Sequence, residues 1–371
     1  MEGGIYIHVP FCRSRCIYCD FFSTTLGDEW QIAYVDALCR EMRLRCTEMP
    51  LTRVHSLYIG GGTPSTLSAD SLHAIFRSVS DCFTLAEDSE VTIEANPDDV
   101  TDEWIACVKD TPVNRISMGV QTFSDDILRV LRRRHTASQV DRAVSGCLRA
   151  GYGNISLDLI YGLPGQTVEM WTADVRKALA FGLPHLSAYS LTFESGTALT
   201  FMLERGEVEE VDDETALRMY RILEDETAKA GMIHYEISNF CREGMQSRHN
   251  SGYWAGVPYL GLGPGAHSYD GKRQRRANDE NLRLYVEAVG DVPHVTETLT
   301  DDELYDELVM TRLRTAKGLP LSCLDAAQRE YCLALAHPHV VSGKLAMENG
   351  CLHLTEDGIF VSNDIISDLM R

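Results

Sequence analysis

Short apolar runs rich in β-branched residues return at intervals through the first half of the chain, at residues 5–9, 56–59, 91–95, 115–120, 155–160 and 185–191. Their length and composition predict strands. Between them, apolar positions recur three and four apart, which predicts helices over 29–46, 69–79, 102–109, 125–132, 137–150 and 168–181. In the first helix Tyr34, Leu38 and Met42 stand four apart, and Val35 and Cys39 fill the same stripe. The last is followed by Gly182 and Pro184, a helix stop. Six strands alternating with helices predict an α/β fold of repeated β-α units around a parallel sheet.

The pattern then changes. Residues 204–214 are dominated by carboxylates and lead into a helix over 216–229 that ends at Gly231. An irregular strand at 233–238 and a segment rich in Gly and aromatic residues at 249–269 follow. From residue 300 an acidic helix start at Asp301 to Glu303 opens an amphipathic run to Leu313, and 344–360 carries the turn signals Asn349-Gly350 and Asp357-Gly358. This predicts a small helical unit with a β wing over 300–371, so the expected division is 1–205, 206–299 and 300–371. A length of 371 residues suits one large domain plus a smaller one, given typical domains of about 150 residues.

Charge narrows the partners. Thirty-four Lys and Arg against 55 Asp and Glu leave a net charge of −21, which repels nucleic-acid backbones and anionic membranes, so no nucleic-acid partner is expected. No apolar run reaches the roughly 18 residues of a membrane span, and the first residues lack the basic and apolar regions of a secretory signal, so a cytoplasmic location is expected. There, twelve cysteines are not a disulfide framework. Nine (Cys39, Cys46, Cys82, Cys107, Cys147, Cys241, Cys323, Cys332 and Cys351) are scattered and are expected to pack as small hydrophobes.

The other three form Cys12-x3-Cys16-x2-Cys19, just beyond the first strand. Three thiolates on one short loop suit three corners of a cubane iron–sulfur cluster and leave the fourth iron open. Zinc is the competitor, but no second Cys/His pair with suitable spacing follows. Arg13 and Arg15, interleaved with the thiols, are expected to offset thiolate charge. Gly60-Gly61-Gly62-Thr63-Pro64 ends the second strand and fits neither a dinucleotide fingerprint nor a Walker loop; its bare backbone suits close approach of a ligand. Glu94, Gln121 and Asp158 stand where later strands should end. In a β/α barrel these ends converge on one face, so the residues are expected to meet the cysteine loop there.

The cysteine loop with Tyr18 before its third thiol, the Gly60–Pro64 turn and the run from Leu159 to Gln166 (Leu-Ile-Tyr-Gly-Leu-Pro-Gly-Gln) together resemble the radical S-adenosylmethionine (SAM) superfamily. The resemblance lies in the branch of oxygen-independent coproporphyrinogen III oxidases and the haem chaperones related to them, and it covers nearly the whole chain. It implies a partial (β/α)6 TIM-like barrel over 1–205, a barrel-capping region with a haem motif over 206–299, and a winged-helix-like α+β domain over 300–371. It also implies a [4Fe-4S] cluster on Cys12, Cys16 and Cys19, with SAM chelating the open iron. By the same resemblance Tyr6 and Tyr18 flank cluster and cofactor, Gly61, Gly62 and Thr63 contact the methionyl part, and Glu94, Gln121, Arg133 and Asp158 are further SAM contacts.

Two features separate the branches. The porphyrinogen oxidases have a further cysteine two positions after the third thiol, where this chain has Phe21, and a longer N-terminal segment than the one preceding Tyr6 here. Porphyrinogen decarboxylation is therefore not expected, and no catalytic residue is assigned. Arg248-His249-Asn-Ser-Gly-Tyr253-Trp254 instead matches the H-N-x-x-Y-W motif of the haem chaperones. The resemblance implies haem as cargo for acceptor haemoproteins, membrane-bound respiratory proteins among them. His249 offers an imidazole to haem iron, Tyr253 and Trp254 offer flat apolar surface, and His267 is a second ligand candidate.

Overall fold

The computed structural model describes residues 2–49 and 51–371. Six strands follow one another in spatial as well as chain order: β1 (Glu2–Val9), β2 (Arg53–Gly61), β3 (Leu85–Ala95), β4 (Arg115–Gln121), β5 (Ile155–Tyr161) and β6 (His185–Ser190), each parallel to the next. The crossovers run through α1 (Asp28–Arg45), α2 (Ala69–Cys82), α3 (Asp102–Lys109), the pair α4 (Asp125–Val130) and α5 (Ala137–Arg149), and α6 (Val168–Ala180). Ser68, Thr101, Ser124 and Thr167 cap four of these helices by accepting a backbone N–H. The strands bury their apolar positions against the helices. On β4, Ile116, Met118 and Val120 go into that core, while Arg115, Ser117, Gly119 and Gln121 face the opposite side.

Helices α7 (Ala198–Glu204) and α8 (Asp213–Lys229) follow. Residues 206–299 supply both edges of the sheet. Strands β7 (Ile233–Glu236) and β8 (Asn239–Cys241) add antiparallel beside β6. After α9 (Arg248–Trp254), β9 (Tyr259–Leu262) pairs parallel with β1, and β10 (His267–Tyr269), β11 (Gln274–Asn278) and, after α10 (Leu282–Glu287), β12 (His294–Thr298) continue antiparallel. The physical reason is the sheet edge: β1 and β6 would otherwise leave a row of unpaired N–H and C=O groups.

A buried ion pair fastens this extension to the barrel. Arg45 on α1 donates to Glu41 (3.0 Å), to the Gly261 carbonyl (2.7 Å) and to Ser268 Oγ (3.0 Å). Glu41 accepts from the Gly263 N–H (2.8 Å), Asn278 Nδ2 (2.7 Å) and Tyr285 Oη (2.6 Å).

The C-terminal elements are α11 (Asp301–Leu313), β13 (Leu319–Pro320), α12 (Ala326–Val341), β14 (Leu345–Glu348), β15 (Cys351–Leu354), α13 (Glu356–Ile359) and α14 (Ser362–Leu369). They enclose their own core, with Tyr305, Val309, Leu313, Leu345, Leu352 and Leu369 buried together. Asn349 and Gly350, with φ of 50° and 77°, form the two-residue turn between β14 and β15 that their sequence signals.

Candidate cluster and cofactor site

The cysteine loop leaves β1 and is pinned by backbone bonds. Cys12 N–H donates to the Thr24 carbonyl (2.8 Å), and Leu199 N–H donates to that of Ile17 (2.9 Å). Ile17 itself is buried with Ile127, Leu131 and Leu163. All three thiols face one cavity of about 390 Å³. Thr63 Oγ1 donates to Cys12 Sγ (3.3 Å) and Arg133 Nη1 to Cys16 Sγ (3.4 Å). Arg133 is oriented by Asn96 Oδ1 (2.7 Å) and the Gly119 carbonyl (2.6 Å), both accepting from Nη2. It is therefore Arg133 that meets thiolate charge directly. Of the two arginines expected there, Arg15 lines the cavity, but Arg13 turns to Asp99 at 3.7 Å.

The donor set fits an iron–sulfur cluster. Three soft sulfurs facing one cavity suit a cubane, in which each iron takes one protein thiolate. Burial pushes the Cys19 thiol up to about 11 and raises that of Cys12, so loading displaces protons.

Glu94 is held opposite the loop by Tyr58 Oη (2.7 Å) and the Gly61 N–H (3.1 Å), both donating. The glycine run is dictated here by close approach. Gly61 has φ +107°, and a Cβ on Gly62 would lie 2.8 Å from the Phe11 carbonyl oxygen. Asp158 accepts from Ser117 Oγ (3.1 Å). Burial first, and then repulsion from Asp158, pushes the Glu94 carboxyl up to about 7 from its ordinary 4.5. Between these values the folded chain binds more protons at Glu94 than the unfolded chain, so its contribution to stability falls as pH rises from about 4.5 to 7. The difference in unfolding midpoint between the unloaded wild type and Glu94→Gln should accordingly shift towards the variant across that window. A difference that does not change with pH would contradict the assignment.

The cavity gathers Cys12, Cys16, Cys19, Tyr18, Gly61, Gly62, Thr63, Glu94, Gln121, Arg133 and Asp158. Tyr6 is not among its walls; it faces a neighbouring cavity and shares a hydrogen bond with His8 Nδ1 (3.1 Å). Motif reading missed Tyr58, Asn96, Arg115, Ser117 and Tyr189, which also line the site. Arg115 is buried, its Nε has no partner, and it is a counter-charge to both Glu94 and Asp158. The available signal was period two: polar residues at alternate positions of otherwise apolar strands.

The H-N-x-x-Y-W segment is α9, whose N-terminus is capped by Glu90 accepting from the N–H groups of Arg248 and His249 (both 3.1 Å). His249 is buried at 3% exposure, with Nδ1 on Ser56 Oγ (2.9 Å) and Nε2 on Tyr253 Oη (2.8 Å). Its ring stacks on Tyr58 at 5.1 Å, and burial pushes it down to about 3. The imidazole is thus engaged at both nitrogens rather than presented to a ligand. Trp254 and Tyr253 line a third cavity of about 260 Å³ against α11. Of the nine cysteines expected to be packed, Cys147, Cys241 and Cys332 are buried, Cys39, Cys46, Cys82 and Cys107 are half-buried against the main core, and Cys323 is exposed.

A thiol triad at the end of the first strand of a parallel β/α sheet, with carboxylates and bare glycines converging on it, is the architecture of the radical SAM superfamily. The superfamily's family model matches residues 6–178, and that of the HemN C-terminal domain matches 299–361. Coproporphyrinogen III oxidase (HemN) of Escherichia coli superposes with a TM-score of 0.82 at 21% identity, covering 99% of this chain and 89% of that one. A Mycobacterium tuberculosis protein named heme chaperone HemW is 36% identical over 372 residues, 99% of this chain and 94% of its own length. The Bacillus subtilis protein of the same name is 33% identical over 362 residues, 96% and 94% of the two chains. The chain belongs to the HemW family of the radical SAM superfamily.

Proposed function

We propose that this chain is a cytoplasmic haem chaperone on a radical SAM scaffold, taking up haem and passing it to acceptor haemoproteins, membrane-bound respiratory proteins among them. The observation that carries the reading is the alignment with chaperone-named relatives over 99% of the chain, barrel and C-terminal unit together. Phe21 supports it, standing in the cavity wall where the porphyrinogen oxidases resembled here have a thiol. Cys12, Cys16 and Cys19 would hold a [4Fe-4S] cluster, with SAM in the cavity beside it; bound there, the pair supplies one-electron radical chemistry. The chain's own work is positional. Arg133 and Thr63 direct donors at the thiolates, Gly61 and Gly62 leave the backbone accessible, and Glu94 and Asp158 present acceptors from the opposite strands.

The gathering in one cavity of every implied SAM contact but Tyr6 favours a second reading, oxidation of a porphyrinogen. One experiment separates them. Untagged protein, reconstituted anaerobically, is titrated with haemin and then mixed with an apo-haemoprotein; in parallel it is given coproporphyrinogen III, SAM and a reductant. Stoichiometric haem uptake and transfer without protoporphyrinogen formation is expected. Protoporphyrinogen formation in the absence of haem uptake would reverse the order of the two readings.

A further inference from the structure

A second cavity of about 300 Å³ adjoins the cluster site across Asp20 and Phe21, which line both. Its walls include Phe21, Phe22, Tyr253 and Tyr259, and Phe21 is 63% exposed. Four aromatic rings at the mouth of a barrel offer flat faces to a macrocycle, at a cavity that polar side chains also line. Three histidines belong to this aromatic region. His8 donates Nε2–H to the Phe22 carbonyl (2.8 Å) and accepts at Nδ1 from Tyr6 Oη (3.1 Å), and His249 is committed at both nitrogens. His267, exposed at the start of β10 and lining the same cavity, has no side-chain hydrogen bond or ion pair among the described residues.

Its place is fixed by the backbone rather than by chance. His267 pairs with Ala277 on β11, and a Cβ on Gly261 would lie 1.9 Å from the His267 carbonyl oxygen. The glycine therefore lets β10 fold tightly against β9 and sets the imidazole at the cavity wall. This accounts for the Gly261-x-Gly-x-Gly-x-His267 run, which the cluster site does not use.

We infer that His267, not His249, is the protein's axial ligand to haem iron, with Phe21, Phe22, Tyr253 and Tyr259 packing against the porphyrin. The inference rests on the haem-chaperone reading and assigns its binding site. Neutral imidazole is a good iron ligand, and an unpaired one needs no hydrogen bond broken before it binds. Asp20 and Glu280 also face this cavity, and their charge would repel the haem propionates.

The test is ferric-haem titration of the untagged full chain and of H267A and H249A, followed by Soret absorption and electron paramagnetic resonance. Wild type is expected to show a nitrogen-ligated spectrum. H267A should bind about tenfold or more weakly, the low end of what disturbing a metal's partners costs, and free imidazole should restore the wild-type spectrum. H249A should keep the wild-type band position. H267M, which keeps a side chain of similar length, should shift the Soret band and raise the haem potential even if the alanine variant proves unstable. Wild-type spectrum and affinity in both His267 variants would overturn the assignment and leave the chaperone reading standing. No haem uptake by wild type would overturn the chaperone reading itself.

Discussion

Cys16→Ala is expected to leave the purified, anaerobically reconstituted protein with little or no iron and sulfide, while Cys323→Ala keeps the wild-type content. The contrast follows from position. Cys16 lines the cavity, receives the Arg133 guanidinium at 3.4 Å, and is one of the three thiols proposed to hold the cubane. With two thiolates left, two irons lack a protein ligand and the cluster is exposed to solvent and chelators. Cys323 is exposed and remote from that cavity. Iron and acid-labile sulfide analysis, with the cluster's visible absorption, measures the outcome. Full iron and sulfide in Cys16→Ala would remove the cluster from this loop. Zinc in place of iron in anaerobically purified wild type would do the same.

The second large effect is on stability. Glu41→Ala should destabilise the fold by about 3–5 kcal/mol, the usual cost of removing one partner from a buried ion pair. Both side chains are 1–2% exposed. Glu41 is also the acceptor for the Gly263 N–H, Asn278 and Tyr285, so the substitution takes an acceptor from three donors and leaves Arg45 only the half-exposed Glu48 carboxylate (3.0 Å). Because those donors belong to the segment that carries β10, haem uptake should weaken together with stability. Urea unfolding reads the first effect and haemin titration the second. The exposed Arg176–Glu226 pair, bidentate at 3.1 Å, is the control, and breaking it should cost far less. Equal losses at the two sites would show that the α1 clamp does not hold the sheet extension.

Much of this architecture is legible in the chain itself. The six parallel strands and their helices follow from apolar period, helix caps and stops, because strands packed under helices must be apolar wherever they face them. The Asn349-Gly350 hairpin is legible for a similar local reason: both residues tolerate positive φ. The thiol loop, the glycine turn and the polar strand ends Glu94, Gln121 and Asp158 are expected together from their places at strand ends, and the fold brings them to one cavity; Tyr6, which only the resemblance implies, lines the neighbouring one.

What the chain did not disclose is decided by pairing and burial at long range. Strands β9 to β12 are short, and β10 to β12 are polar as well; they become strands because β1 offers an open edge, and no local pattern announces that. Arg115 and Tyr58 belong to no motif and reach the site through strand alternation alone. The histidines make the same point most sharply. Sequence reading ranks His249 over His267 by the motif around it, since the identity of a side chain determines what chemistry it could perform. Only the tertiary structure decides which imidazole is free to perform it. Ser56 and Tyr253 take up both nitrogens of His249 inside the barrel, while the close β9–β10 approach leaves His267 unpaired at an aromatic cavity beside the cluster loop. Hydrogen-bond partners come from residues 193 positions away in the chain as readily as from neighbours four away, and spacing carries no record of the distant ones.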